Sequence, residues 1–258
     1  MKDLFSDQSE LYQQARPSYP QSVIDEILKY VQNYEMAWDC GAGSGQFTRI
    51  LAPHFNQVIA TDISAAQLQQ APAIDNVIYR IENAEHSNFK AQCFDLITVA
   101  QAIHWFDFEL FFQEVYRALK PEGVFAVIGY GFIEVENEEL QSCIEKLYNQ
   151  VLKTYWESER HYIDLKYQTI PFPFEEIPTC EQHMHCKWRI DQLIDYLNTW
   201  SALKKYFKEN TQADNQATQL LNQMSQYALA WGDHADHKFN IRFPIFLRIG
   251  KLINAPVL

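Results

Sequence analysis

The sequence predicts an α/β fold, a mostly parallel sheet with helices on both faces, and three observations carry the prediction. Short apolar strands alternate with segments of helical periodicity through the first half of the chain, as parallel strands joined by helical crossovers require. The stretch Trp38-Asp39-Cys40-Gly41-Ala42-Gly43-Ser44-Gly45-Gln46 sets three glycines at alternate positions between an apolar strand, 34–38, and a segment with Phe47, Ile50 and Leu51 at helical spacing. A further apolar strand, 58–61, ends in Asp62, 23 residues beyond Asp39. Glycine lets the backbone turn tightly and leaves no Cβ between main chain and ligand. A carboxylate at the tip of the second strand is where a doubly wound sheet holds a ribose diol. Strand, glycine turn, helix, strand and acid together describe a nucleoside pocket.

The spacing bears on which nucleoside. A dinucleotide fingerprint would put its last glycine at position 46, which is Gln here. The pattern is G-x-G-x-G, with Asp39 two residues before the first glycine, and it resembles motif I of class I S-adenosylmethionine (SAM) methyltransferases. That resemblance implies a Rossmann-like class I methyltransferase fold with a seven-stranded sheet and an inserted helical cap. It also implies SAM as cofactor, S-adenosylhomocysteine (SAH) as product, and Asp39, Gly41, Ala42, Gly43, Gly45, Gln46 and Asp62 as cofactor-binding residues. A glycine turn without a ligand and an NAD-binding turn are the alternatives.

Composition narrows the class. The 258 residues fit one domain with an insertion, or one domain plus a small cap, and a hydrophobic content of 47% with 14 Tyr and 17 Phe suffices for a large core. A net charge of −12 argues against binding a nucleic-acid backbone. Five cysteines without C-x-x-C spacing suggest free thiols in a reducing compartment. The N-terminus has no apolar signal region, and the run 124–133 is too short to span a bilayer. The expectation is a cytoplasmic protein acting on a small-molecule substrate, with no nucleic acid and no membrane as partner. The oligomeric state is left open.

Residues 1–37 read as a lid and a first helix, with Ser22 as cap and Val23, Ile24, Ile27, Leu28 and Val31 at helical spacing. Tyr12-Gln13-Gln14-Ala15-Arg16-Pro17-Ser18-Tyr19-Pro20 resembles the Y-x-x-x-R-P-x-Y-P segment of a methyltransferase subgroup that includes trans-aconitate methyltransferases. The resemblance implies that Tyr12, Arg16 and Tyr19 close over the cofactor, and an Arg fork suits a carboxylate.

Beyond Asp62, a short helix at 64–70 and a strand at 77–81 are expected. Asn83-Ala84-Glu85 falls where the relatives carry an acid-containing segment after the third strand, which implies a place beside the adenine. Asn83 can accept through its amide oxygen. Ile63 is expected against the adenine, with ordinary core packing as the alternative. The strand 94–99 runs into Ala100-Gln101-Ala102-Ile103-His104-Trp105-Phe106, at the carboxyl end of the fourth strand, where open sheets bind ligands. This segment closely resembles the AQAxHWF stretch of the same subgroup. It implies that Ala100 and Gln101 line the SAM cleft while His104 and Trp105 face the substrate. His104 is the candidate catalytic residue, to orient the acceptor or take a proton.

A helix at 108–119, a stop at Lys120-Pro121-Glu122-Gly123 and a fifth strand at 124–129 complete the alternation. Helices are expected at 136–155, 190–206 and 215–231. Tyr196-Leu197-Asn198-Thr199-Trp200-Ser201 resembles the subgroup's Y-L-x-T-W-S stretch and implies Trp200 in the substrate region. The last strand, 239–249, should pair with one near 180–187. The expected organisation is a SAM-binding core with lid at 1–131, a cap and late edge strand at 132–237, and a strand at 238–258 completing the sheet.

Two clusters resemble metal ligands. In a strand, His183 and His185 would face opposite to Cys180 and Cys186, so the four could not converge. Asp233, His234, Asp236 and His237 lie on a polar loop, and no metal is expected. The subgroup resemblance points to a small polycarboxylic acid as acceptor. An acidic protein must neutralise such an anion locally, with His104 and Arg189 or Arg242 as the expected donors. A lipid or quinone-precursor methyltransferase and a SAM-binding protein without turnover are the alternatives.

Overall fold

The computed structural model describes residues 16–230 and 237–253, and in it the alternation becomes one sheet. Helix α1 (Gln21–Leu28) leads into β1 (Met36–Cys40), the glycine turn and α2 (Gln46–Leu51). Then come β2 (Gln57–Asp62), α3 (Ala65–Gln69), β3 (Val77–Ile81), β4 (Phe94–Ala100), α4 (Phe108–Ala118) and β5 (Leu119–Tyr130). These five strands lie parallel in the order β3-β2-β1-β4-β5. The strand order therefore reverses between β1 and β4, which opens a crevice at their carboxyl ends. Asp39, Asp62 and Gln101 all sit at that edge.

The second half contributes β6 (Glu134–Val135), α5 (Glu138–Lys146), α6 (Arg160–Asp164), β7 (Glu175–Ile177) and β8 (Gln182–Trp188). Helices α7 (Ile190–Asn198), α8 (Ser201–Glu209) and α9 (Gln216–Ala230) follow, and β9 (Phe239–Lys251) closes the described chain. Strand β9 runs antiparallel to its neighbours. One of its edges pairs with β5 and then β6, while the other pairs with β7 and β8. Among the described residues the sheet has nine strands where the family resemblance implied seven, because β5 and β6 share one edge of β9 and β7 and β8 share the other.

Alternate residues of the central strands feed two cores. Leu96, Val124, Ala126 and Ile128 pack with Ile24 and Ile27 of α1, Leu51 of α2 and the helices of the second half. Ile97, Phe125 and Val127 face the other way, onto Trp38, Phe111 and Val115. Helices therefore cover both sheet faces, as the near-continuous burial of β4 requires.

Several local expectations are corrected. Ser22 does not cap the first helix: α1 starts at Gln21 behind Pro20, whose φ of −72° already suits a helix entrance, and the Ser22 hydroxyl donates to Gln182 on β8. The helix expected at 190–206 is two helices. Thr199 Oγ1 bonds back to the Tyr196 carbonyl at 2.6 Å and Trp200 turns extended, with ψ 126°, which sends its indole into the core. The α-helix expected at 136–155 stops at Lys146 and continues as a π-helical turn over Leu147–Val151. The fifth strand begins early because Leu119 pairs with Phe94 before a bulge.

On β8, Met184 is buried while His183 and His185 point to the opposite face. Among the described residues no three His, Cys, Asp or Glu side chains converge to hold a metal. Asp233, His234 and Asp236 lie outside the described residues. No described helix is long and apolar enough to cross a membrane.

Candidate active site

The glycine turn follows from its own backbone. Gly41, Gly43 and Gly45 have φ of +69°, +55° and +76°, the left-handed region that a Cβ disfavours. Gly41 also passes so close to the fourth-strand loop that an added Cβ would lie 2.5 Å from Ala102 Cβ. Asp62 pins the turn from the side. Its Oδ2 accepts from Gly43 N at 2.9 Å and its Oδ1 from Ser64 N at 2.9 Å, while Ala42 N donates to the Thr61 carbonyl. The strand-end acid thus shapes the loop that it faces.

Asp39 is fully buried beneath the turn and accepts from Thr48 Oγ1 at 2.6 Å and Thr98 Oγ1 at 3.0 Å. Burial pushes its carboxyl up to about 6, and the two threonine hydroxyls hold it from rising further.

Above these residues lies a cavity of about 840 Å³ counted with its open mouth. Tyr19, Asp39, Gly41, Ala42, Gly43 and Gln46 line it on one side, and Asp62, Ile63, Ala100, Gln101 and Trp105 on the other. A nucleoside cofactor fits this donor set: a carboxylate for a diol, apolar Ile63 beside it, and a backbone stripped of Cβ atoms. Ser44, Gln67 and Tyr130 also line the cavity, and the sequence did not single them out. Asn83, Ala84 and Glu85 do not line it. The Asn83 side chain turns back to accept from Glu85 N, Ala84 is buried, and Glu85 Oε1 accepts from Asp107 N at the start of α4. Tyr12 lies outside the described residues.

A second chamber, about 580 Å³ counted the same way, opens beside the first, and Gln101, Trp105 and Tyr130 line both. His104 and Trp200 line it, as does Arg16, whose Nη1 donates to Tyr130 Oη at 2.6 Å and whose guanidinium lies 5.2 Å from the Tyr196 ring. Arg160 of α6 joins them. Its guanidinium lies 5.3 Å from the Tyr148 ring and 5.1 Å from the Trp156 ring, and its Nε donates to Tyr148 Oη at 2.8 Å and, more distantly, to Asp164 Oδ1 at 3.4 Å. Among the described residues nothing accepts from its two Nη groups within hydrogen-bond range. Among the described residues the lining holds two guanidiniums, Arg16 and Arg160, and one carboxylate, Glu157. His104 is buried, and burial followed by the nearby Arg160 charge pushes its imidazole down to about 3, against a smaller pull upward from Glu159. At neutral pH the ring is uncharged.

Arg189 and Arg242 are not where a substrate arginine was expected. Arg189 pairs with Asp191 at 2.6 Å beside the N-terminus of α7, Arg242 pairs with Glu134 at the sheet surface, and neither lines either chamber. Arg189 sits at the helix start and Arg242 within β9, and the acidic partner of each is already in place. Arg160 was missed because it sits in a five-residue helix without a clear pattern. Trp156, four residues earlier, stacks on it from the bend before that helix, a contact that no helical spacing announces.

Comparison with known proteins agrees with this geometry. Residues 38–127 match the family profile described as a methyltransferase domain, type 11. A methyltransferase-like protein of Dictyostelium discoideum is 32% identical over 257 residues, 96% of this chain and 95% of that protein. Another, from Schizosaccharomyces pombe, is 28% identical over 77% of each chain. The solved structure of a type II methyltransferase-like protein from Anaeromyxobacter dehalogenans superimposes with a TM-score of 0.82 at 30% identity, covering 93% of this chain and 99% of that one. With the fold, the glycine turn and these relatives in agreement, the chain belongs to the type 11 methyltransferase family of SAM-dependent enzymes.

Proposed function

We propose that the protein methylates a carboxylate of a small organic acid, as trans-aconitate methyltransferases do. The observation that supports this reading is the second chamber: in a chain of net charge −12, Arg16 and Arg160 bring two guanidiniums to a pocket that shares Gln101, Trp105 and Tyr130 with the cofactor cavity. Guanidinium forks match carboxylate geometry and stay charged at any working pH. On this reading residues 132–237 form a substrate cap, supplying Trp156, Arg160 and Trp200, on a SAM-binding core of 1–131 completed by 238–258.

Bound SAM supplies a sulfonium whose methyl group is already electrophilic. With the acid held by Arg16 and Arg160, an ionised carboxylate oxygen would take the methyl group, the S–CH3 bond breaking with its electron pair left on sulfur. No proton has to be removed, so a neutral, buried His104 is compatible with the step. The chain's task is alignment, and orientation of this kind can supply about 7–11 kcal/mol of barrier reduction.

The experiment is methyl transfer from label-bearing SAM across a panel of small carboxylic acids, followed by mild base. A methyl ester releases labelled methanol. A product that keeps its label in base has its methyl on nitrogen, carbon or an ether oxygen, and the carboxylate reading falls. A protein that binds SAM and labels nothing on a broad panel of acids and other acceptors would point to binding without turnover.

A further inference from the structure

Proton bookkeeping around His104 leaves one assignment. Gln101 Nε2 lies 2.9 Å from the Tyr130 carbonyl oxygen. A carbonyl only accepts, so the amide NH2 faces Tyr130 and the amide oxygen faces away. That oxygen is 3.3 Å from Tyr167 Oη, and since it cannot donate, the phenol does. Tyr167 has a single hydroxyl proton. With that proton on Gln101, the 2.8 Å contact between Tyr167 Oη and His104 Nδ1 is a hydrogen bond only when Nδ1 carries the hydrogen. The opposite choice sets the amide and phenol oxygens together with no hydrogen between them.

Two links of this chain sit in costly backbone. Gln101 and Tyr167 have φ of 54° and 59°, a region that side chains with a Cβ rarely adopt. Tyr167 is held there from several sides: its N–H donates to the Tyr162 carbonyl at 2.7 Å, its own carbonyl accepts from Arg248 Nη1 at 2.9 Å, and its ring meets Phe246 edge-on. It is 1% exposed. Strained residues kept in place by their surroundings gather at functional sites.

We propose that Tyr167 is a positioning residue that holds His104 as the Nδ1–H tautomer, so that a bare Nε2 faces the substrate chamber as a hydrogen-bond acceptor. His104 lines that chamber, and Nε2 has no partner among the described residues. Burial keeps the ring neutral, so the tautomer alone decides what it offers. For the substrate, this inference rests on the carboxylate reading above. An ionised carboxylate has no hydrogen to give Nε2, so the acid meets His104 through a second group. Beside Arg16 and Arg160 a neutral hydroxyl is favoured over an ammonium. The substrate class is therefore a small carboxylic acid that also bears a hydroxyl.

The tautomer is read without any substrate. Long-range proton–nitrogen spectra of protein labelled with 15N-histidine separate the protonated from the bare ring nitrogen, and His104→Gln identifies the His104 signals. At neutral pH the parent should show Nδ1 protonated and Nε2 bare. In Tyr167→Phe, which keeps the buried ring, the two nitrogens should move toward each other as both tautomers populate. Nε2–H in the parent overturns the proposal, whether or not the variant folds. In the transfer assay, hydroxy acids should exceed their deoxy analogues by roughly tenfold or more in kcat/KM, because a site built to receive a hydroxyl rejects ligands lacking it. Tyr167→Phe should erase that preference while SAH affinity, measured by calorimetry, stays unchanged. Equal use of both members of each pair refutes the substrate half. If no acid is methylated, the carboxylate reading fails while the spectrum still decides the tautomer.

Discussion

Asp62→Ala is expected to weaken binding of both SAM and SAH by roughly two orders of magnitude or more. Hydrogen bonds to a charged group contribute about 1.5–3 kcal/mol each, so two ribose hydroxyls on one carboxylate account for ~3–6 kcal/mol, at about 1.4 kcal/mol per factor of ten. The structure adds a second loss. Asp62 also accepts from Gly43 N and Ser64 N, so the variant releases the glycine turn that the cofactor needs. Asp62→Asn should be nearly as harmful, because either placement of its amide turns an NH2 toward one of those two backbone N–H groups. Calorimetric titration with SAH checks both variants, with a thermal unfolding curve to confirm that each is folded. Parent-like affinity in folded Asp62→Ala would remove Asp62 from the site, and NAD binding in place of SAH would revive the dinucleotide alternative.

Arg160→Gln should lower kcat/KM for the carboxylic acid by a factor of roughly 30 or more, since truncating one side of a buried, hydrogen-bonded charge pair costs about 2–5 kcal/mol. The loss should appear chiefly in KM, because a carboxylate held by Arg160 is held in both the ground and the transition state. SAH affinity should not change, since Arg160 lines only the second chamber. Arg160→Lys should recover little: lysine keeps the charge and loses both the fork and the stacking on Tyr148 and Trp156. Arg189→Gln and Arg242→Gln serve as controls. Their partly exposed pairs with Asp191 and Glu134 contribute little, and neither side chain reaches the chamber. Steady-state kinetics of the four variants separate these outcomes. A KM rise in Arg242→Gln with none in Arg160→Gln would place the acid elsewhere.

What was legible in the sequence was local. The glycine turn could be read because three backbone positions and one strand-end acid lie within a short span, and each demands a particular residue type. Periodicity marked β4 and α4 for the same reason. Side chains that act across the fold left weaker traces. Arg160 and Tyr167 come from the second half of the chain, through burial against Trp156 and Phe246 that no spacing near the AQAIHWF segment reports. Asn83 shows the converse. Its place in the chain suggested the adenine, yet its short side chain is spent closing a turn on Glu85 N. Arg189 and Arg242 had the right charge for an anionic substrate, and local acids claimed them first. The family resemblance implied seven strands, and the two further ones among the described residues left no trace because β6 and β7 are two and three residues long.

On the proposed function, the glycine-turn cavity holds the cofactor with its sulfur directed into the arginine-lined chamber. A crystal structure with SAH tests this most directly. The ribose hydroxyls should lie on the Asp62 carboxylate, and the sulfur should lie where Gln101, Trp105 and Tyr130 divide the two cavities, open toward Arg16 and Arg160. SAH bound away from Asp62, or with its sulfur facing away from that boundary, would contradict the account.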